Sequence, residues 1–242
     1  MFYTTSDGIK IPAVKPSVMG MIDELAITRF HMHILQMMEN AGRSCAEQVT
    51  EMTDGKRGPV AVLAGAGRNG GGGLCCARHL INMGYMVEII LDRQSKRFKG
   101  PVKNQYDILA ECGAKLTDTA RTENILAKAD VVVDALIGYG LHGIPIGETS
   151  ELIVTCNKKA RRILSLDIPS GINAENGQIL GPAIQPERVL TWTLPKTGMK
   201  QVPGDLYLAD IGIPKKLLES LDFRFPWPFA DRFAVKIHPA GP

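Results

Sequence analysis

The sequence predicts an α/β fold, with a mostly parallel β-sheet covered by helices on both faces. Between residues 59 and 214, short apolar runs of strand length alternate with stretches of helical periodicity, as in sheets built from strands and crossover helices. The apolar runs are continuous, which is typical of parallel strands buried on both faces. The chain has 242 residues, of which 45 % are hydrophobic and 22 % are charged, so it can bury the core of a single domain over residues 1–242.

Two helices are predicted ahead of the sheet, in an N-terminal helical extension over about residues 17–52. Ser17 can cap the first helix, which runs to about Phe30. The second helix runs from Ile34 to about Met52. Its apolar side chains step by three and four residues and so form one stripe for packing: Met38, Ala41, Cys45, Val49 and Met52.

The core of the fold is predicted over about residues 59–214. Its strands are expected at residues 60–64, 86–91, 131–135, 163–166, 189–194 and 206–209, and its helices at 74–83, 102–112 and 148–159. The C-terminal tail, about residues 215–242, is predicted to be irregular, because residues 223–242 are rich in proline and aromatic side chains.

The composition excludes several classes of function. Lys and Arg exceed Asp and Glu by only 28 to 25, a formal net charge of +3, which argues against a nucleic-acid binder. No apolar run reaches the roughly 18 residues of a membrane span, and the first residues lack the features of a signal peptide. The five cysteines are an odd number without CxxC spacing, so buried free thiols are expected. We therefore predict a cytoplasmic protein that binds neither nucleic acid nor membrane.

Three segments that follow predicted strands are candidates for a ligand site: residues 65–73 (GAGRNGGGG), 134–143 (DALIGYGLHG) and 167–171 (DIPSG). In open parallel sheets, ligands bind at the carboxyl ends of the strands, near the point where the strand order reverses. All three segments are therefore expected at one edge of the sheet.

The first of these segments has six glycines in nine positions, between a predicted strand and a predicted helix. Glycine lets backbone N–H groups approach an anion, and a helix N-terminus favours negative charge, so a phosphate or pyrophosphate would fit here. The same glycines would also suit a tight turn without a ligand. A P-loop is excluded, because no Lys-Ser or Lys-Thr follows the glycines.

Polar side chains accompany these strand ends. Asp134 and Asp167 each lie at the end of a predicted buried strand, with Ser170 and Asn69 on the same edge. The four side chains could form an all-oxygen cation site, or divide into cation ligands and one general base. Each aspartate could instead cap a following helix.

Six motifs occur in an order that resembles a known family: MMENAGR (37–43), GAGRNGGGGL (65–74), DALIGYGLHG (134–143), DIPSGINAENG (167–177), PKTGM (195–199) and GDLYLADIGIP (204–214). Over about residues 18–214 the chain resembles the YjeF N-terminal domain family, the NAD(P)HX epimerases. The resemblance implies a Rossmann-like three-layer αβα sandwich, assembly as a homodimer, and an isomerase that interconverts the R and S forms of hydrated NADH and NADPH (NADHX and NADPHX). This cofactor-repair step would supply the S form to a separate NAD(P)HX dehydratase.

The resemblance also implies roles for individual residues. The hydrated nucleotide would be bound by Arg68, Asn69, Gly70, Gly71, Gly72, Gly138, Tyr139, Gly140, Leu141, His142, Gly143, Ile144 and Asp167. A potassium ion would be bound by Asn69, Asp134 and Ser170. Inverting carbon 6 of the hydrated nicotinamide requires a group that donates and accepts a proton. We predict that Asp167 is this acid/base, because it ends a strand and has no other evident role.

The glycine-rich segment departs from the family's usual NNGGDG at two positions, with Arg68 in place of the first Asn and Gly72 in place of the Asp. The second change removes a carboxylate from the expected site, whereas Arg68 adds a group that can bind phosphate through two hydrogen bonds. An alternative function is therefore a non-catalytic nucleotide-binding or protein-interaction module on the same fold.

Two lysines are weaker candidates for contacts with the ligand. Lys99 and Lys196 could bind phosphate or transfer a proton, but a solvated surface position is expected for both. An ordinary dehydrogenase is not favoured: residues 65–70 (GAGRNG) fit the loose GxGxxG pattern, but a glycine match alone is weak evidence for a dinucleotide site. Asp92 nevertheless falls near the distance at which such enzymes place a ribose-binding acid.

Overall fold

The computed structural model describes residues 1–93, 97–117 and 121–241, and in these residues ten β-strands form one sheet. The strands are β1 (Phe2–Thr5), β2 (Lys10–Pro12), β3 (Pro59–Ala64), β4 (Met86–Leu91), β5 (Lys115–Thr117), β6 (Val131–Ala135), β7 (Ile163–Leu166), β8 (Arg188–Trp192), β9 (Asp205–Ala209) and β10 (Ala234–Pro239). The helices are α1 (Pro16–Thr28), α2 (Ile34–Met52), α3 (Arg68–Asn82), α4 (Gly100–Glu111), α5 (Thr122–Lys128), α6 (Gly147–Lys159) and α7 (Lys215–Ser220). A short 3-10 helix spans Thr197–Gln201.

The sheet is mostly parallel, which confirms the predicted fold class. In the order β9-β8-β7-β6-β3-β4-β5, every neighbouring pair of strands is parallel. The chain runs outward from β3 to β4 and β5, and then returns to the other side of β3 at β6. The strand order therefore reverses between β3 and β6.

Helices cover both faces of the sheet. In β3, Val60 and Val62 pack against α2, α3 and α4, whereas Ala61 and Leu63 pack on the opposite face with α5 and α6. A third cluster joins α1 and α7 to the β8–β10 side of the sheet. Because alternate residues of each central strand are buried on opposite faces, the strands have continuous apolar sequences. The resulting architecture is a three-layer αβα sandwich.

Helix α3 begins six residues earlier than the helix predicted from position 74. Much of the glycine-rich segment is therefore helix, and the prediction that it forms a loop as far as Gly73 is wrong. Close packing explains the glycines: a Cβ at Gly70 would overlap the Gly65 carbonyl, and a Cβ at Gly73 would overlap the side chain of Ala135. These glycines allow the helix to lie close to the strand ends.

The predicted irregular tail is also wrong in part, because it contributes α7 and the strand β10. β10 pairs antiparallel with both β9 and β1. Val235 and Ile237 are buried while His238 is exposed, the alternation of a strand with one face in the core. This short pattern lies between prolines and aromatic residues that suggested a loop. β1 and β2, at the other end of the chain, were not predicted either.

No helix in the described residues is long and apolar enough to span a bilayer. All five cysteines are free thiols, as expected, and four of them are buried. Cys112 is the exposed one.

Candidate functional site

A cavity of about 790 Å³ opens at the carboxyl ends of β3, β4, β6 and β7, across the point where the strand order reverses. Its volume lies within the roughly 300–1,000 Å³ of small-molecule sites. Ten of the residues predicted to bind the nucleotide line this cavity: Arg68, Asn69, Gly72, Gly138, Tyr139, Gly140, Leu141, His142, Ile144 and Asp167. The structure does not bring the other three to its wall, because Gly70 and Gly71 are buried within α3 and Gly143 is exposed on the loop after β6.

The three predicted segments meet at this edge of the sheet. The backbone N–H of Tyr139 donates to Asp167 Oδ2 at 3.0 Å, and the N–H of Ile137 donates to Ser170 Oγ at 2.9 Å. The backbone of Gly138 passes so close to Asn69 that an added Cβ would lie 3.3 Å from the Asn69 Cγ atom. The loop after β6 is thus held between α3 and the segment after β7.

The N-terminus of α3 faces the cavity through Gly67, Arg68 and Asn69. The first backbone N–H groups of a helix have no partner within the helix, and the aligned peptide dipoles place partial positive charge there. This end of α3 can therefore bind an anion such as a pyrophosphate. The anion-binding interpretation of the segment depends on the helix start rather than on a glycine loop.

Asp134 is completely buried behind the cavity wall. Its Oδ1 accepts from Ser170 Oγ at 2.6 Å, and its Oδ2 accepts from Ser165 Oγ at 2.7 Å and from the Ser170 N–H at 2.9 Å. Burial raises the pKa of Asp134, while the hydrogen bonds from Ser170 and Ser165 act in the opposite direction. Asp134 therefore ties the end of β6 to the segment after β7, and does not cap a helix in the described chain.

The side chains predicted to bind potassium form a set that suits a hard cation. Ser170 Oγ lies 2.6 Å from Asp134 Oδ1 and 3.2 Å from the carbonyl oxygen of Ile137, and its single proton can serve only one of them. Asn69 Nδ2 is buried with no hydrogen-bond partner among the described residues. Since the oxygen and nitrogen of an amide can exchange places, Asn69 could present its oxygen instead. Carboxylate, hydroxyl, carbonyl and amide oxygens together are ligands of the type that such cations prefer.

Asp167 lies immediately after β7, and 2 % of its surface is exposed. Its backbone has a φ of 67°, in the left-handed region that non-glycine residues seldom adopt. Strained residues of this kind concentrate at functional sites. Both carboxylate oxygens have protein partners, because Oδ2 accepts from the Tyr139 N–H and Oδ1 accepts from Lys196 Nζ. Asp167 therefore also has a structural role, and the prediction that it has no other evident role is wrong.

Lys196 is completely buried, which contradicts the surface position expected for it. Its Nζ donates to Asp167 Oδ1 at 2.5 Å, to Thr191 Oγ1 at 3.0 Å and to the Trp192 carbonyl at 3.3 Å. The side chain also lines the cavity beside Tyr139, with Nζ 5.8 Å from the centre of the ring. Lys196 and Asp167 thus form a buried ion pair facing the cavity. Lys99, by contrast, is exposed as expected.

Asp23, on α1, is a cavity residue that the sequence did not suggest. Its Oδ2 accepts from the Tyr139 hydroxyl at 2.7 Å and lies 3.5 Å from Arg68 Nη1. Burial raises the pKa of Asp23, against the lowering effects of Tyr139, Lys196 and Arg68. Asp23 thus supplies a carboxylate to a cavity in which Gly72 stands where the family usually has one. Its partner Tyr139 lies more than a hundred residues away, so no local pattern could have indicated the contact.

Comparisons with known proteins show which family the chain belongs to. The family model described as YjeF-related protein N-terminus matches residues 34–198. An NAD(P)H-hydrate epimerase of Dehalogenimonas lykanthroporepellens is 40 % identical over 240 residues, covering 97 % of this chain and 96 % of the relative. A second protein of that name, from Pirellula staleyi, is 33 % identical, covering 84 % of this chain and 93 % of the relative.

Two other matches extend the comparison. A bifunctional NAD(P)H-hydrate repair enzyme of Moorella thermoacetica is 34 % identical over 87 % of this chain, which spans only 42 % of that relative. The crystal structure of a yeast protein superimposes with a TM-score of 0.83 at 25 % identity, covering 93 % of this chain and all of the yeast chain. Sequence and fold therefore agree that this chain belongs to the family of YjeF-related protein N-terminal domains.

Proposed function

We propose that this protein is an NAD(P)H-hydrate epimerase, an isomerase that interconverts the R and S forms of hydrated NADH and NADPH. The observation that carries the proposal is the buried Asp167–Lys196 ion pair, which faces a cavity of small-molecule size at the reversal point of the sheet. The epimerase names of two relatives that match this chain over most of their own length support the same activity.

In this proposal the nucleotide lies along the carboxyl edge of the sheet. The N-terminus of α3 binds the pyrophosphate through backbone N–H groups, with Arg68 beside it. The loop after β6, from Gly138 to Ile144, covers the bound nucleotide. The hydrated nicotinamide is placed against Asp167, where the Tyr139 N–H and Lys196 fix the orientation of the carboxylate.

The chemistry requires one group that accepts and then returns a proton. The hydroxyl on carbon 6 is next to the ring nitrogen, so the carbon–nitrogen bond can break when the hydroxyl proton leaves, giving an aldehyde and a protonated nitrogen. Reclosure on the other face inverts the centre. Asp167 accepts the hydroxyl proton and delivers it to the nitrogen, and Lys196 offsets the negative charge of the carboxylate before and after this transfer. Loss and return of water at the same carbon would need the same residue.

A potassium ion is part of the proposal, with Asn69, Asp134 and Ser170 as the side chains that would hold it. The ion would supply fixed positive charge at this edge of the sheet. Asp134 and Ser170 hold the end of β6 and the start of the following loop in place through their own hydrogen bonds. Asn69 does the same from α3, where it packs against Gly138.

The alternative of a non-catalytic module depends on Arg68 and Gly72 alone. Arg68 is paired with Asp23, which itself places a carboxylate in the cavity. Asp167 and Lys196 form a buried ion pair at the cavity, and Asp134 accepts a hydrogen bond from Ser170. The enzyme is therefore the better supported function.

The partners that follow from the proposal are a small-molecule substrate, NADHX or NADPHX, and a dehydratase that consumes the S form. The bifunctional relatives are named for repair of the same compound, and this chain spans only part of their length. We also propose that the protein is cytoplasmic and that it forms a homodimer. Sedimentation equilibrium on the purified protein would test the homodimer.

The function is tested by giving the purified protein R-NADHX with potassium and following the S form by chromatography against the spontaneous rate. We expect clear acceleration by the wild type and its loss in Asp167→Asn, with nucleotide binding retained. Asp205→Asn is the matched control, because Asp205 also pairs with a lysine, Lys236 at 2.8 Å, outside the cavity. No acceleration by the folded wild type would refute the epimerase, and full activity in Asp167→Asn would refute the role of Asp167.

A further inference from the structure

A second polar cluster lines the cavity at the end of β4. Asp92 follows the last residue of this strand, and 3 % of its surface is exposed. Arg93 donates to it through two parallel hydrogen bonds, Nε to Oδ1 and Nη2 to Oδ2, both at 3.0 Å. Thr149, on α6, donates to Oδ2 at 3.0 Å. All three residues belong to the same cavity as Asp167.

The position of this cluster corresponds to one end of a bound dinucleotide. Along the sheet, the end of β7 carries Asp167, the end of β3 leads into the N-terminus of α3, and the end of β4 carries Asp92. β7 and β4 are three strand spacings apart, or about 14 Å. With the nicotinamide at Asp167 and the pyrophosphate at α3, the adenosine ribose therefore reaches the end of β4. In dinucleotide-binding sheets this is where an acid contacts the ribose hydroxyls or an arginine accommodates a 2′-phosphate.

The hydrogen bonds of the cluster favour the second of these two cases. Asp92 already accepts three hydrogen bonds, from Arg93 and Thr149, so little of its capacity is left for ribose hydroxyls. Arg93 uses only two of its five N–H donors on Asp92, and 41 % of its side chain is exposed. The hydrogen bonds to Asp92 raise the pKa of Arg93, and the negative charge of Glu148, at the start of α6, acts in the same direction. A guanidinium oriented in this way can present the N–H groups that do not bind Asp92 to a phosphate.

We propose that Arg93 determines the specificity for the adenosine ribose, by donating to the 2′-phosphate of hydrated NADPH, and that the chain therefore takes NADPHX in preference to NADHX. This inference rests on the proposed function, because it assumes that the cavity binds a hydrated nicotinamide dinucleotide. Asp92 and Thr149 act as positioning residues, since they hold the guanidinium at the end of β4.

The main experiment measures kcat and KM for R-NADHX and R-NADPHX in the wild type, Arg93→Ala and Arg93→Lys. We expect Arg93→Ala to raise KM for NADPHX about tenfold or more, the loss expected for a hydrogen bond to a charged group, and to leave KM for NADHX within about twofold. Arg93→Lys should restore part of the affinity, because lysine keeps the charge but not the paired donors.

Arg162→Ala is the matched control. Arg162 forms the same paired hydrogen bonds, to Glu187 at 2.6 and 2.7 Å, with 38 % of its side chain exposed. It precedes β7 and so lies at the amino end of the sheet, away from the cavity. This variant should not change the ratio of the two KM values. Equal changes for both substrates in Arg93→Ala, or no change for either, would overturn the inference.

A binding measurement separates this inference from the proposed function. Calorimetry with adenosine 2′,5′-bisphosphate and with adenosine 5′-monophosphate requires no epimerisation. We expect tighter binding of the bisphosphate to the wild type, and equal binding of the two in Arg93→Ala. If the wild type binds the bisphosphate more tightly through Arg93 but shows no epimerase activity, only the proposed function is rejected. Epimerase activity with no such discrimination would reject only the role of Arg93.

Discussion

A Lys196→Met variant would leave the Asp167 carboxylate buried without its ion-pair partner. Methionine matches the length of the lysine stem, so the packing of this completely buried side chain is largely kept and the change isolates the charge. Breaking a buried ion pair by removing one partner costs about 3–5 kcal/mol, because an uncompensated charge remains inside the protein. Asp167 keeps the Tyr139 N–H at 3.0 Å and a long contact from Thr191 at 3.4 Å, so we expect the lower end, about 3 kcal/mol.

The free energy of unfolding is measured by urea denaturation followed by circular dichroism at pH 7. For a chain of this length, a loss of that size corresponds to a fall in Tm of roughly 6–12 °C. The double variant Lys196→Met/Asp167→Asn removes both charges and should be less destabilised than the sum of the two single variants. The single variants should lose epimerase activity even at temperatures where they are folded.

Two outcomes would refute this reasoning. A loss below about 1 kcal/mol in Lys196→Met would mean that Asp167 does not need its partner, as at an exposed pair. Additive effects in the double variant would mean that the two side chains are not energetically coupled in the folded protein, despite their 2.5 Å contact.

Three further predictions concern other parts of the molecule. Gly73→Ala should lower the free energy of unfolding by about 1–3 kcal/mol, because the new methyl overlaps Ala135. Gly72→Ala has no described atom within 4 Å of its Cβ and should be neutral or slightly stabilising. Thermal melts of the two variants measure this difference. The pKa of Asp23 is raised in the folded state, so the native protein holds this proton to higher pH than the unfolded chain does. The free energy of unfolding should therefore fall as pH rises above about 4. Urea unfolding across pH 4–7 should show that this part of the slope disappears in Asp23→Asn. Asp134→Asn turns an NH₂ group toward Ser165 or Ser170 and should lower the free energy of unfolding by about 1–3 kcal/mol. The variant should also abolish any difference in Tm between potassium and sodium buffers. A difference that survives in the variant would place the ion elsewhere.

The features that the sequence predicted are those that depend on local pattern or on a general rule of parallel sheets. The apolar stripe of α2 and the continuous run of β6 gave their bounds directly. The meeting of Asn69, Asp134 and Asp167 at one edge followed from the rule that parallel strands end together. None of these predictions required knowledge of distant contacts.

The features that were missed depend on partners far away in the chain. Lys196 is buried because the carboxylate of Asp167, 29 positions earlier, compensates its positive charge. Composition alone assigns a lysine to the surface. Asp23 meets Tyr139 across 116 positions. The glycines of α3 favour a loop by propensity, yet they lie in a helix, where contacts with Gly65 and Ala135 leave no room for a side chain at Gly70 and Gly73.

The pairing of β1 with β10 has a consequence for how the chain is made. Tyr3 lies opposite Pro239, and the Ala240 N–H donates to the Phe2 carbonyl at 2.9 Å, so two strands at opposite ends of the sequence are neighbours. During synthesis β1 emerges long before β10 and lacks this partner until β10 has left the ribosome. β9 meanwhile presents an unpaired edge, the kind of surface on which nascent chains associate. The sheet is therefore completed only after β10 has emerged, and a circular permutant in which β1 directly follows β10 should form the β1–β10 contact early.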